Sequence, residues 1–246
     1  MTLLSFTGIE KRFGGIRALD GVDGQVSEGE ILGLVGPNGS GKSTLINVLA
    51  GFYEPNDGSI RFLGEDITGT EAHHRFKAGI ARTYQIPRPL SEMTVLENVA
   101  VALIFGRAGL PPDQAMEAAV QWLEFAGLEQ YVDDPISRLN LHQLKYLELA
   151  RSLASSPKVL FLDEVLAGLN PTEIEESIGM IRRIHERGVT LVIVEHVIRV
   201  VTALSTRVMV LDQGLKIADG DPTEVMRDPA VQKAYLGSRW SDARGS

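Results

Sequence analysis

The chain has 246 residues, a net charge of −8 and no cysteine. That length serves one α/β domain with a sizeable core, the acidic balance and the lack of a Lys/Arg-rich block argue against a nucleic-acid-binding surface, and the missing cysteines exclude disulfides, thiolate metal sites and thiol catalysis. No basic-then-apolar leader opens the chain, and the longest apolar run, Val99 to Phe105, falls far short of the roughly eighteen residues of a membrane span, so the chain reads as soluble or held at a membrane by a partner.

Residues 3–35 carry strand-like runs divided by Gly14-Gly15, Asp20-Gly21, Asp23-Gly24 and Glu28-Gly29. These pairs read as the turns of an antiparallel β region. Ile31 to Val35 is wholly apolar and reads as a buried strand. It leads into Gly36-Pro37-Asn38-Gly39-Ser40-Gly41-Lys42-Ser43-Thr44, and then into Leu45 to Ala50, a helix ended by Gly51. A glycine-rich turn between strand and helix makes a phosphate cradle. The glycines let backbone N–H groups approach phosphate oxygens. The helix N-terminus adds free donors and a positive dipole end. Lys42 would reach the β- and γ-phosphates, and the Ser43 hydroxyl would hold Mg²⁺. The alternative is a chance match in a glycine-rich turn, which the strand before it and the helix after it oppose.

Ala81 to Tyr84 reads as a strand, with Gln85 at its end. Residues 86–157 change character and read as mostly helical, bounded by Pro87, Pro89 and Pro157. Within them Ala115, Ala119, Trp122 and Ala126 repeat at helical spacing after Pro111-Pro112. Val159 to Leu162 is a short apolar strand, and so is Val189 to Val194; each follows a helix, as a sheet of buried parallel strands requires. The helix between them has Asn170 as N-cap, Pro171 at its first position and Glu173 to close a capping box. Its Ile174, Ile178, Ile181 and Ile184 form a packing stripe. Residues 206–219 read as two strands joined at Asp212-Gln213-Gly214, and residues 238–246 as a polar tail.

The strand Val159 to Leu162 ends in Asp163 and Glu164. Ligands of parallel sheets bind at that edge. Asp163 is suited to hold Mg²⁺ directly or through water. Glu164 is suited to polarise the water that attacks the γ-phosphate. Taken alone, the pair reads equally well as a helix cap; beside a phosphate loop it has chemistry to do. Gln85 and His196 also end strands. Either is compatible with a solvated loop residue; at a strand end, His196 can donate to a phosphate oxygen and Gln85 can ligate metal or water.

These residues together resemble the nucleotide-binding subunit of an ATP-binding-cassette (ABC) transporter, from Leu4 to about Leu236. Gly36 to Thr44 stands as Walker A, Gln85 as the Q-loop, Val159 to Glu164 as Walker B, Ala167 to Asn170 as the D-loop and His196 as the switch histidine. The resemblance makes Phe13 the aromatic that stacks on adenine, and Leu139 to Gln143 the signature loop. It implies an α/β P-loop core with a mostly parallel sheet, an antiparallel β subdomain and a helical subdomain at about 86–157, all in one domain over 1–237. It also implies ATP and Mg²⁺ as cofactors, with Ser43, Gln85 and Asp163 on the metal and Glu164, Gln85 and His196 in catalysis. The partners implied are a second nucleotide-binding subunit, identical or related, and transmembrane permease subunits that dock on Ile86 to about Leu110; nucleic acid is not among them. The place implied is the cytoplasmic face of a bacterial inner membrane.

The finer resemblance is to ATPase subunits of branched-chain amino acid importers. It rests on Lys11 to Leu19, Arg82 to Gln85, Met93 to Val99, Ala167 to Pro171 and Tyr235-Leu236-Gly237. Lipopolysaccharide-export ATPases share much of that pattern, and a soluble non-transport ABC ATPase is a further alternative. The chain departs from the family in two places. The usual Leu-Ser-Gly-Gly-Gln is Leu139-Asn140-Leu141-His142-Gln143, and the proline after the Walker B glutamate is Val165. Asn140 still caps a helix and Gln143 can close its box, so both stay candidates for the grip on the partner's ATP.

Overall fold

The computed structural model of the chain describes residues 1–195 and 197–236. By their contacts these divide into two units, one holding Met1–Glu71 and the chain from Thr190 onward, the other Ala72–Val189.

In the first unit, β1 (Thr2–Phe13) and β2 (Ile16–Ser27) form a long antiparallel hairpin about Gly14-Gly15. Asp20-Gly21 and Asp23-Gly24, which the sequence presents as turns, lie inside β2 instead. The ladder shifts register between Phe6 and Ile9 and again between Ile9 and Lys11, as it does at β-bulges. Asp23 accepts the Gly8 N–H at 2.6 Å. An acidic-glycine pair therefore marks an irregular strand here, not a chain reversal. β3 (Ile31–Val35) is buried at every residue, and α1 (Lys42–Leu49) follows the phosphate loop. β4 (Asp57–Phe62) and β5 (Glu65–Asp66) complete an antiparallel sheet in the order β2-β1-β4-β5.

The second unit runs through α2 (Ala72–Ala78), β6 (Ile80–Arg82), α3 (Val95–Phe105), α4 (Pro112–Ala126), α5 (Leu141–Ala154), β7 (Val159–Asp163) and α6 (Pro171–Glu186). β6 and β7 are parallel, with Arg82 opposite Phe161. Val95, Val99 and Leu103 of α3 bury against Ala115, Ala119 and Leu123 of α4 and Leu147 and Ala150 of α5. Trp122, from the predicted stripe, packs partly buried at the margin of that cluster. Capping boxes start three of these helices: Thr94 with Glu97, Asn140 with Gln143, and Asn170 with Glu173. Ile178, Ile181 and Ile184 of α6 are buried, and Ile174 partly so.

The chain returns to the first unit as β8 (Thr190–Val194), α7 (Ile198–Leu204) and β9 (Arg207–Asp212). β8 and β9 flank β3 in parallel. Gln213 and Gly214, both at positive φ, turn the chain into β10 (Leu215–Gly220), as a type I′ hairpin requires. α8 (Pro222–Val225) and α9 (Pro229–Leu236) close the unit. β3 thus lies between two parallel neighbours and delivers the phosphate loop at its carboxyl end, where such sheets bind ligands. The polar tail and His196 lie outside the described residues. Among the described residues, no helix is long and apolar enough to cross a membrane.

Candidate active site

The loop between β3 and α1 is shaped by backbone crowding. A Cβ on Gly36 would lie 2.0 Å from the Leu211 carbonyl oxygen, and one on Gly41 would lie 2.6 Å from that of Ala18. Side chains are excluded at both positions, so the loop backbone packs directly against β9 and β2. Gly41 caps α1 with φ 107° and offers no side-chain acceptor, and no acidic residue occupies the first turn of α1. No side chain caps that helix start, the positive end of the helix dipole, which favours an anion. Lys42 is 5% exposed. Its Nζ donates to the carbonyls of Gly36 at 2.8 Å and Pro37 at 2.9 Å, which hold the ammonium over the loop. The Ser40 hydroxyl is buried without a hydrogen-bond partner. Ser43 is exposed. From α9, the Tyr235 phenol receives the Gly36 N–H, and burial pushes its pKa up.

Phe13, at the end of β1, is partly exposed, and its ring meets Tyr53 edge-on at 5.2 Å. The Lys11 ammonium lies 5.3 Å from the Phe13 ring centroid and 5.8 Å from that of Tyr53. Tyr53 is a residue that sequence reasoning misses. Its signal is the aromatic pair Phe52-Tyr53 directly after the Gly51 that ends α1.

In the second unit, β7 carries Asp163 to its carboxyl end. Asp163 is 5% exposed, and its Oδ2 accepts from Arg82 Nη2 at 3.1 Å. Thr83 extends the contact between the two strands: its N–H donates to the Phe161 carbonyl at 2.9 Å, and its Oγ1 accepts the Asp163 N–H at 3.2 Å. Glu164 has φ 52°. A proline next in sequence would bias Glu164 toward extended backbone; Val165 leaves it free to turn. Gln85 Nε2 donates to Glu164 Oε2 at 2.5 Å, so the structure brings these two candidates together.

The signature position is the start of α5. Asn140 Oδ1 accepts the Gln143 N–H and Gln143 Oε1 accepts the Asn140 N–H, both at 2.9 Å. Gln143 Nε2 donates to the Tyr131 hydroxyl at 2.7 Å. Both polar ends of Gln143 are therefore engaged within the chain. His142 packs its ring edge-on against Tyr146 at 4.3 Å. One turn on, Lys145 is buried and donates to the carbonyls of Val165, at 3.0 Å, and Ala167. It ties α5 to the segment after Glu164, a tie that no motif announces. Glu148 accepts the Tyr84 N–H at 2.8 Å. Burial pushes its carboxyl up to about 7, against the opposing pull of that N–H and of Arg151, Arg82 and Arg88.

The metal donors proposed from sequence are a hydroxyl in the first unit and an amide oxygen and a carboxylate in the second. All are hard oxygens, the set that Mg²⁺ takes alongside phosphate oxygens. Among the described residues no cluster of three or more His, Cys, Asp or Glu could hold a metal by itself.

A family described as ABC transporter matches residues 19–167, and one described as branched-chain amino acid ATP-binding cassette transporter matches residues 216–240. The chain is 37% identical to the high-affinity branched-chain amino acid transport ATP-binding protein BraF of Pseudomonas aeruginosa, covering 96% of this chain and 98% of that one. It is 36% identical to a probable branched-chain amino acid transport ATP-binding protein, LivG, of Archaeoglobus fulgidus, over 98% of each. A solved ATP-binding cassette of an ABC transporter in its ADP conformation superposes with a TM-score of 0.85 at 35% identity, over 97% of this chain and all of that one. A nucleotide-free cassette gives 0.86 at 34%, with the same coverage. A dimeric cassette bound to ADP and Pi, 24% identical with a TM-score of 0.80 over 89% of this chain and 99% of that one, shares the fold. The chain belongs to the ABC transporter family and is an ATP-binding-cassette ATPase.

Proposed function

We propose that the chain powers import of branched-chain amino acids, as one of two nucleotide-binding subunits on a membrane permease. The observation that carries this is the full-length likeness to branched-chain amino acid transport ATP-binding proteins, together with the match at residues 216–240. The place is the cytoplasmic face of a bacterial inner membrane, where the chain would sit as a peripheral subunit. Its second subunit is an identical or a related chain.

Each side chain has a job in this reading. The Gly36–Thr44 loop and the start of α1 bind the phosphates through backbone N–H groups. Lys42 adds a point charge to the β- and γ-phosphates. Phe13, braced by Tyr53, stacks on the adenine. Ser43, Gln85 and Asp163 would hold Mg²⁺, which when bound neutralises phosphate charge. Glu164 polarises the attacking water, with Oε2 oriented by Gln85 Nε2 at 2.5 Å. His196 donates to the γ-phosphate. Asn140 and Gln143 shape the helix start that meets the ATP held by the other subunit.

The test is transport. The chain is reconstituted in vesicles with the permease that co-purifies with it, and uptake of labelled leucine, isoleucine and valine is followed with and without MgATP. ATP-dependent uptake of these over charged amino acids is expected. ATP hydrolysis with no uptake of any of the three would contradict the substrate assignment while leaving the ATPase intact.

A further inference from the structure

The β6–β7 ladder ends at Arg82 and Phe161. Thr83 is still tied to β7, through its N–H to the Phe161 carbonyl, but Gln85 is exposed. What aims it must act on the backbone between. That backbone is gripped from one face of α5. Glu148 accepts the Tyr84 N–H at 2.8 Å, Arg151 Nη1 donates to the Arg88 carbonyl at 2.8 Å, and the Ser152 hydroxyl lies 3.5 Å from the Arg82 carbonyl. Residues at these spacings share a helix face. The Tyr84 ring is enclosed by the guanidinium groups of Arg82, at 4.5 Å, and Arg88, at 4.9 Å. Arg82 in turn holds Asp163.

Glu148 is a costly residue for this place. It is 7% exposed, and burying a carboxyl group is unfavourable unless it is well bonded. A small or apolar side chain would pack there at less cost but would leave the Tyr84 amide without its acceptor. We propose that Glu148 is a positioning residue for hydrolysis: by accepting the Tyr84 N–H it sets the backbone that aims Gln85 at Glu164, and it makes the helix headed by Asn140 and the Gln85 segment one clamped piece. Lys145, on the same helix, fastens the far side of Glu164 through the carbonyls of Val165 and Ala167. α5 thus fixes the backbone on both sides of the Gln85–Glu164 pair. The inference rests on the ATPase activity assigned above, and on the roles proposed for Gln85 and Glu164.

The experiment compares steady-state MgATP hydrolysis by the full chain, by Glu148→Gln and by Glu148→Leu, with rates divided by the fraction of molecules that bind nucleotide. Glutamine keeps an acceptor oxygen and should hold kcat within about twofold of the parent. Leucine keeps the bulk without the acceptor; kcat should fall about tenfold or more while KM for ATP moves less than about threefold. In a Gln85→Ala background the leucine change should have no further effect on kcat, because the group it positions is gone. If leucine does not fold, Glu148→Asp withdraws the acceptor and should show the same loss. Unchanged kcat in the leucine or aspartate variant, or an equal loss with and without Gln85, overturns the proposal and leaves the ATPase assignment standing. A parent that binds ATP but never turns it over overturns that assignment, and the proposal with it.

Discussion

Single residues divide the labour of the nucleotide site sharply enough to test one at a time. Lys42 is buried and holds its ammonium over the loop carbonyls, so Lys42→Ala should remove most MgATP affinity; an unchanged dissociation constant by titration calorimetry contradicts the phosphate-loop assignment. Phe13→Ala should weaken ATP and ADP alike, on the order of 1–3 kcal/mol by analogy with base–aromatic stacking. Tyr53→Ala should weaken both by less, since Tyr53 meets Phe13 edge-on and braces it. If both variants keep full affinity per folded molecule and lose only thermal stability, the pair packs without touching the base. Legibility at this scale follows chemistry. Gly36 to Thr44, Asp163 and Glu164 stand out in the sequence because the phosphate and metal roles proposed for them demand fixed residue types at fixed spacing. Tyr53, Arg82, Lys145 and Glu148 are not, because their partners lie far off in sequence: 81 residues separate Arg82 from Asp163, and 64 separate Tyr84 from Glu148.

At the scale of elements, α5 carries two separable tests. Asn140 accepts the Gln143 N–H at its start, so Asn140→Ala should cost about 1 kcal/mol of stability and reduce hydrolysis more than ATP binding by a single chain. Equal rates in parent and variant would mean that this loop only packs. Glu148, on the next turns, links stability to pH. Its carboxyl is pushed up to about 7 from an ordinary 4.5. Between those values the folded state binds more protons than the unfolded one. The stabilisation is therefore fully present below about pH 4.5 and is lost as pH rises through about 7. The whole difference corresponds to about 3 kcal/mol at most. Glu148→Gln cannot ionise, so urea denaturation should show it gaining on the parent from pH 5 to about pH 7 and the gap levelling off above that; a gap that does not change with pH would place the ordinary glutamate pKa in the fold. The elements themselves were readable where pattern and punctuation agreed, as in α6, with Asn170, Pro171 and its isoleucine stripe. They were not where the acidic-glycine pairs of β2 proved to lie within an irregular strand, or where β4 gained its place from pairing with β1 and β5 from pairing with β4.

At the scale of the whole molecule, one chain carries both a glycine-rich loop between strand and helix and a pair of carboxylates at a strand end, and it belongs to the ABC transporter family. We propose that it hydrolyses MgATP with Glu164 as the group that activates water, in a dimer that ATP closes. The most direct measurement sets steady-state hydrolysis beside light-scattering mass, with and without MgATP, for the parent and for Glu164→Gln. The amide accepts a proton and polarises water poorly. The variant should bind ATP as the parent does, lose turnover by several orders of magnitude and accumulate as an ATP-bound dimer. A Glu164→Gln chain that hydrolyses ATP near the parent rate, or stays a monomer at saturating MgATP, would contradict the account.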